Sequence, residues 1–182
     1  MGIIKPPHEA HPFIAVMFTN AQELTALQSI MCQKLGEYFE PGPIYKVLDF
    51  TDYYAEEFGS QLQKQFYVFN QPVSLEKFHE IKIWSNQIEQ DFAQVVSDGW
   101  RRRVNLDPGY LEPSKLVLFS TKNYSHRIYI GAGIYAETTL IYERGNFKIL
   151  PWTYPDYSWE TNLRYLLEIR AAIVKLARSQ KN

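Results

Sequence analysis

Hydrophobic and polar positions change period several times along this chain, and the changes divide it into elements. Residues 13–18 (FIAVMF) form a nearly unbroken apolar run, as expected of a strand buried on both faces. Asn20 with Glu23 three residues later reads as a capping box, and Leu24, Leu27, Met31 and Leu35 then recur at helical spacing until Gly36. Pro41, Gly42 and Pro43 break the chain. Residues 44–50 alternate loosely as a second strand and 65–69 read as a third, joined by the polar stretch TDYYAEEFGSQLQK. Ser74 is placed to cap a long helix carrying Phe78, Ile81, Ser85, Ile88 and Phe92 at three- and four-residue steps, with Gly99 as its stop.

Residues 104–106 then read as a fourth strand, and Asp107-Pro108-Gly109 as the sharp turn that leaves it, because proline fixes φ and glycine accepts a positive one. The run 114–121 fits either a helix started by Pro113 or an apolar strand. From Ile134, alternation sets Ile134, Ala136, Thr138, Leu140 and Tyr142 against Tyr135, Glu137, Thr139, Ile141 and Glu143, so Glu137 shares a face with Tyr135 and Thr139. Gly145-Asn146 closes a hairpin into Phe147, Ile149 and Leu150. A last helix begins near Ser158 with Leu163, Leu166, Leu167, Arg170, Ile173, Val174 and Ala177 on one stripe.

This order predicts an α+β fold: a ferredoxin-like β-α-β-β-α-β core with both helices on one sheet face, an antiparallel hairpin extension and a C-terminal helix. The expected organisation is a single domain over residues 1–182, with an extended arm at 1–12, a candidate site region at 101–157 and the C-terminal helix at 158–182. Such a length can bury a full core without disulfides or metal staples.

Composition narrows the partners. A net charge of −1 argues against a general nucleic-acid binder, leaving only the local triplet Arg101, Arg102 and Arg103 as a basic patch. The single cysteine, Cys32, excludes an internal disulfide, falls in an apolar helical pattern that predicts a buried thiol, and fits a reducing cytoplasm. No run approaches the ~20 apolar residues that span a bilayer, and no segment has signal-peptide character, so the protein is expected to be soluble and unexported, with no membrane partner. His8 and His11 are too few to make a metal site.

The strings TDYYAEEFG, RRVNLDPGYL, KLVLFSTKNYSHRIYIGAGIYAETTL and LPWTYPDY resemble a bacterial family catalogued as domain of unknown function 4416, and the likeness covers nearly the whole chain. The resemblance implies no activity, cofactor or catalytic residue, so the site is read from the residues alone.

Several chemistries lack their signatures. There is no GxxxxGK[ST] phosphate loop, Gly131-Ala132-Gly133 lacks the third glycine of a dinucleotide fingerprint, and CxxC, HExxH and GxSxG are missing. What stands out is a set of charges among aromatics, glycines and prolines. His126, Glu137 and Asp107 are the candidate catalytic residues: His126 as general acid or base, with Asp107 and Glu137 orienting it or holding a hard cation. Arg127, Tyr135, Trp152, Tyr154 and Asp156 are candidate ligand contacts, Arg127 as a planar fork for phosphate or carboxylate and the aromatics as a stacking surface. The structural alternatives are an edge histidine with a local hydrogen bond and an aromatic lid, including Tyr157, that fixes the last helix to the core. Two function classes follow: a small-molecule site or enzyme for a phosphorylated or carboxylated ligand, and an RNA- or protein-binding module using a sheet face and the basic triplet. The first predicts Asp107, His126 and Glu137 in one cleft lined by Tyr135 and Trp152.

Overall fold

The chain runs β1 (Glu9–Phe18), α1 (Ala21–Leu35), β2 (Tyr45–Lys46), α2 (Ala55–Phe58), β3 (Gln63–Val68), β4 (Val73–Ser74), α3 (Phe78–Asp91), β5 (Gln94–Val96), β6 (Gly99–Arg101), β7 (Asn105–Glu112), β8 (Lys115–Ser120), β9 (Ile128–Gly131), β10 (Ile134–Glu143), β11 (Asn146–Ile149) and α4 (Glu160–Ser179). This computed structural model describes residues 2–97 and 99–179. Met1 of the expected arm and residues 180–182 of the expected last helix lie outside the described residues. The result is a mixed α+β fold with one nine-stranded antiparallel sheet in the order β11-β10-β8-β7-β1-β3-β2, β4 also pairing with β1 and β9 with β10. β5 and β6 form a separate hairpin.

β1 lies inside the sheet between β7 and β3, which explains its unbroken apolar run: alternate residues serve opposite cores. Ile14, Val16 and Phe18 meet α1 and α3 through Leu27, Met31, Phe78 and Ile81 on one face, while Phe13 and Ala15 meet α4 through Leu166, Ile169 and Ile173 on the other. The Asn20 side chain caps α1 by accepting from Glu23 N at 3.0 Å, and Glu23 reaches back to the N–H and hydroxyl of Thr19. The buried residues of α4 are Asn162, Tyr165, Leu166, Ile169 and Ile173, with Leu163 and Leu167 of the predicted stripe packed half-buried against the same core and Ala177 exposed. Cys32 is half-buried rather than buried.

Several boundaries differ from the sequence expectation for identifiable reasons. The arm ends earlier, because β1 starts at Glu9 and includes Pro12. Phe69 N donates to the Pro12 carbonyl at 2.8 Å, and the Phe69 carbonyl, which a proline cannot serve, accepts instead from His11 Nδ1 at 2.9 Å. Burial holds the His11 imidazole below its ordinary pKa, in keeping with a neutral ring serving a carbonyl. The expected second strand is only Tyr45–Lys46 before a 3-10 turn. α3 stops at Asp91, and Gly99, at φ +128°, belongs to the β5–β6 hairpin instead. The ambiguous run 114–121 is strand β8. The β10–β11 turn is Arg144-Gly145, both at positive φ, one residue earlier than expected.

Asp107-Pro108-Gly109, expected to be a sharp turn, instead lies within β7. Leu106 directs its N–H to Glu89 Oε1 (2.8 Å) and its carbonyl to Lys82 Nζ (3.1 Å), both on α3, away from β1. Pro108, two residues on, faces the same edge, where the ladder to β8 extends only as far as Gly109↔Leu118, so its missing N–H breaks no pair. Gly109 is required by proximity: a Cβ there would sit 2.0 Å from the Val117 carbonyl oxygen. Beyond this point β7 and β8 form a fork.

A second irregularity lies on β10, where the register to β8 shifts between Thr138 and Leu140. Thr139 is the extra residue, so Leu140 joins the α4 side with Glu137 instead of continuing the alternation from Ala136. The Thr138 and Thr139 carbonyls accept from Trp152 Nε1 (2.8 Å) and Thr153 Oγ1 (2.6 Å), which straps the 150–158 segment across the sheet.

The basic triplet is not a free patch. Arg102 makes a bidentate pair with Glu57 (2.7 Å each) and Arg103 bonds Glu23, leaving Arg101 on the exposed β5–β6 hairpin. α1 and α3 cover one face of the central strands and α4 covers the other.

Gly109→Ala is expected to destabilise the protein by roughly 2–3 kcal/mol or more in chemical denaturation, the scale of overpacking against rigid backbone; a loss under ~0.5 kcal/mol would contradict the close β7–β8 approach. Burial works to raise the Glu23 carboxyl, but hydrogen bonds from Thr19 and Arg103 outweigh it and hold the group below its ordinary value. Its stabilising contribution is therefore present above the unfolded pKa and lost as pH falls through the folded one. Glu23→Gln should accordingly flatten the fall in stability between about pH 5 and pH 3, measured by urea midpoints across that range.

Candidate functional site

The fork between β7 and β8 opens into a cleft with two parts. On the α4 side of the sheet, an inner chamber of about 70 Å³ is lined by Asp107, Lys64, Glu137, Arg127, Asp156 and Tyr157, with Tyr45, Tyr54 and Tyr154 around them. Strand register explains the convergence. Asp107 lies opposite Ala15, Lys64 opposite Met17 and Glu137 opposite Leu118, so three neighbouring positions of one sheet face carry charge where α4 does not reach. Residues 44–58 and 150–158 roof this end. An outer cleft of about 440 Å³ shares Asp107, Ser120, Arg127 and Tyr154 with the chamber and adds Lys82, Glu89, Asn86, Asn105 and Lys122.

Inside the chamber the cations are committed. Lys64 Nζ lies 2.7 Å from Asp156 Oδ2 and 4.6 Å from the centre of the Tyr157 ring, and Tyr45 donates to the same carboxylate oxygen at 2.7 Å. Arg127 gives Nε to Glu137 Oε2 (2.6 Å), Nη1 to Ser120 Oγ (2.8 Å) and the Lys122 carbonyl (3.1 Å), and Nη2 to Tyr154 Oη (3.0 Å). Four of its five N–H groups are thus used within the protein. Burial is the largest single influence and opposes the Arg127 charge, but the hydrogen bond and charge of Glu137 together with Tyr154 outweigh it and raise the guanidinium pKa.

The acceptors are less fully served. Glu137 is 3% exposed, and its Oε1 has no partner among the described residues, while Oε2 takes both Arg127 and His126 Nε2 (2.9 Å). Tyr157 Oη is likewise unpartnered and buried. Among the described residues Asp107 makes no side-chain hydrogen bond or ion pair although it borders both parts of the cleft. Burial, then the charge of Asp107, push the Tyr54 and Tyr157 hydroxyls well up, so both are neutral donors at physiological pH. Burial, then the charge of Glu137, raise the Tyr154 hydroxyl as well.

The structure brings together five of the eight residues singled out from sequence: Asp107, Glu137, Arg127, Tyr154 and Asp156 all line the chamber. His126 lies behind Glu137, stacked on Trp152 with ring centres 5.1 Å apart, and reaches the chamber only through that carboxylate. Trp152 and Tyr135 line neither part: Trp152 stacks on His126, and Tyr135 packs edge-on against Tyr129. The cleft walls expected from these two residues are supplied by Tyr45, Tyr54 and Tyr157. Lys64, Tyr45, Tyr54, Ser120 and Lys82 escaped sequence reading. Lys64 did leave a signal, since it occupies a core-facing position of β3 in phase with Phe66 and Val68. Among the described residues, no three His, Cys, Asp or Glu side chains group as a metal site needs, and no helix is long and apolar enough to cross a membrane.

Fold and cleft together define a mixed α+β protein with a buried polar chamber opening through a split sheet. The chain belongs to the family described as Domain of unknown function (DUF4416), whose model matches residues 8–172 and so takes in every residue of the chamber. No curated protein and no solved structure matches the chain.

Lys64→Met would leave Asp156 buried with Tyr45 as its only side-chain donor among the described residues, and is expected to cost about 3–5 kcal/mol. Adding Asp156→Asn should recover most of that loss, because the neutral amide needs no counter-charge. A double-mutant cycle by urea denaturation checks this, and additive losses would show that the two groups are not coupled.

Proposed function

We propose that the chain binds a small phosphorylated or carboxylated molecule in the cleft between β7 and β8 and presents Asp107 and Glu137 to it for proton transfer. The observation that carries this reading is the placing of unpartnered buried polar atoms. Of the five such side-chain atoms among the described residues, Asn105 Nδ2, Glu137 Oε1 and Tyr157 Oη belong to residues lining this one cleft. Buried polar groups left without a protein partner are costly, and they serve best where a ligand completes them. The anionic part of the ligand belongs in the outer cleft, where Lys82 spends one hydrogen bond on Leu106 and has no ion-pair partner among the described residues, and where Lys122 and Asn105 Nδ2 add donors. His126 acts as a positioning residue: its bond to Glu137 Oε2, shared with Arg127, fixes the carboxylate so that Oε1 is the oxygen left for the ligand.

The order β7-β1-β3-β2, with α1 and α3 over one face, supports a ferredoxin-like β-α-β-β-α-β core to which β8 to β11 and α4 are added. In that reading the cleft forms at the seam between core and addition. The ligand is then expected among phosphorylated and carboxylated metabolites of the cytoplasm. RNA binding is the weaker reading, given the ion pairs of Arg102 and Arg103 and the covered sheet faces.

A thermal-shift screen of such metabolites tests the proposal. A binder is expected to raise the melting temperature by a few degrees, on the order of the gain at 100-fold excess over Kd. That gain should shrink in Lys122→Glu, a variant at an exposed position whose unliganded melting temperature stays unchanged. No stabilisation by any phosphorylated or carboxylated compound, or stabilisation indifferent to Lys122→Glu, would overturn the anion site.

A further inference from the structure

The cleft is electrically divided, and the division says more about the ligand than the presence of an anion site does. Its outer part is lined by four cationic side chains against two carboxylates; the inner chamber is lined by three carboxylates against two cations. Commitment sharpens the contrast. In the chamber Lys64 is held by Asp156 and Arg127 by Glu137, Ser120, Lys122 and Tyr154, whereas Asp107 and Glu137 Oε1 are free to accept. A carboxylate or phosphate entering the chamber would meet the Asp107 carboxylate, which has no ion-pair partner among the described residues, the open Oε1 of Glu137, and almost no spare donor on Arg127. A positively charged donor group would satisfy both.

Resting on the proposed anion site, we infer that the ligand is zwitterionic in charge layout: a primary ammonium enters the chamber, between Asp107 and Glu137 Oε1, while its phosphate or carboxylate stays in the outer cleft near Lys82 and Lys122. The sizes agree with this division. The chamber has room for a head group of a few heavy atoms and the outer cleft for the rest of a small metabolite. The aromatic wall contributes as well. The neutral hydroxyls of Tyr54 and Tyr157 supply polar contacts without adding negative charge, and the rings of Tyr45, Tyr154 and Tyr157 exclude the water that would otherwise screen the carboxylates. A bare divalent cation fits the set poorly, because among the described residues no three carboxylate, imidazole or thiol side chains group around one point as a hard ion needs, and Asp156 is taken by Lys64.

The test compares three phosphate esters of similar size by isothermal titration calorimetry: 2-aminoethyl phosphate, propyl phosphate and carboxymethyl phosphate. The amine is expected to bind at least ~10-fold more tightly than propyl phosphate, with the carboxylate weakest, as charge-assisted bonds in a desolvated site require. Asp107→Asn should erase the preference for the amine, while propyl phosphate, relieved of a neighbouring carboxylate, binds no more weakly than before. If carboxymethyl phosphate binds as well as the amine, the ammonium assignment is wrong and the anion site stands. If none of the three binds, the anion site fails, and the chamber is judged by itself through carboxyl-carbon NMR. Methylammonium chloride should then shift the Asp107 and Glu137 signals beyond what sodium chloride does at equal ionic strength, and equal effects of the two salts, or a larger effect of magnesium chloride, would overturn the inference.

Discussion

Everything distinctive in this molecule depends on where the β7–β8 ladder stops. Up to Gly109 and Leu118 the two strands pair at such close range that no side chain fits at Gly109, and beyond it Pro108 has no N–H with which to continue. An open strand edge inside a protein leaves backbone groups unsatisfied, and here α3 serves Leu106 with one acceptor and one donor from Glu89 and Lys82. Burial drives the Glu89 carboxyl toward its neutral form, opposed by Lys82 and the Leu106 N–H. The helix that fills one core therefore also holds the sheet open for a cavity reaching the other face.

The two irregularities of the sheet cooperate. The bulge at Thr139 breaks the β10 alternation just after Glu137, which puts Leu140 back into the α4 core and frees two carbonyls on the edge between β9 and β11. Those carbonyls bind Trp152 and Thr153, so the segment that carries Tyr154, Asp156 and Tyr157 into the chamber is anchored by the same strand that carries Glu137. Trp152, in turn, flanks the His126 ring on the far side of Glu137. A chamber made from loops alone would lack this rigidity; here each polar group stands on a strand or on a segment tied to one.

Much of the scaffold was legible in order of appearance. The apolar run of β1, the Asn20–Glu23 cap, the α1 and α3 stripes and the β10–β11 hairpin all follow from local periodicity and turn chemistry. Five of the chamber residues were visible too, because charges such as Asp107 and Glu137 set among aromatics and glycines stand out against the pattern around them. Where local signals misled, a distant partner had overridden them. Asp107-Pro108-Gly109 has the composition of a turn but is straightened by β1 on one side, and Arg102 and Arg103 look like a basic patch until Glu57 and Glu23 are brought to them.

The sequence by itself determined the main helices, the β1 strand, the β10–β11 hairpin, the mixed α+β class and the family, since propensity, periodicity and motif strings are properties of neighbouring residues. Only the tertiary structure decided which charges meet. Lys64 and Asp156 are 92 residues apart and Arg102 and Glu57 are 45, so no spacing rule links them, and their pairing depends on strand order. The same holds for what stays unpaired: whether Asp107 and Glu137 Oε1 are spare depends on which donors the fold has already assigned elsewhere, and that allocation exists only once the sheet, its fork and its roof are in place.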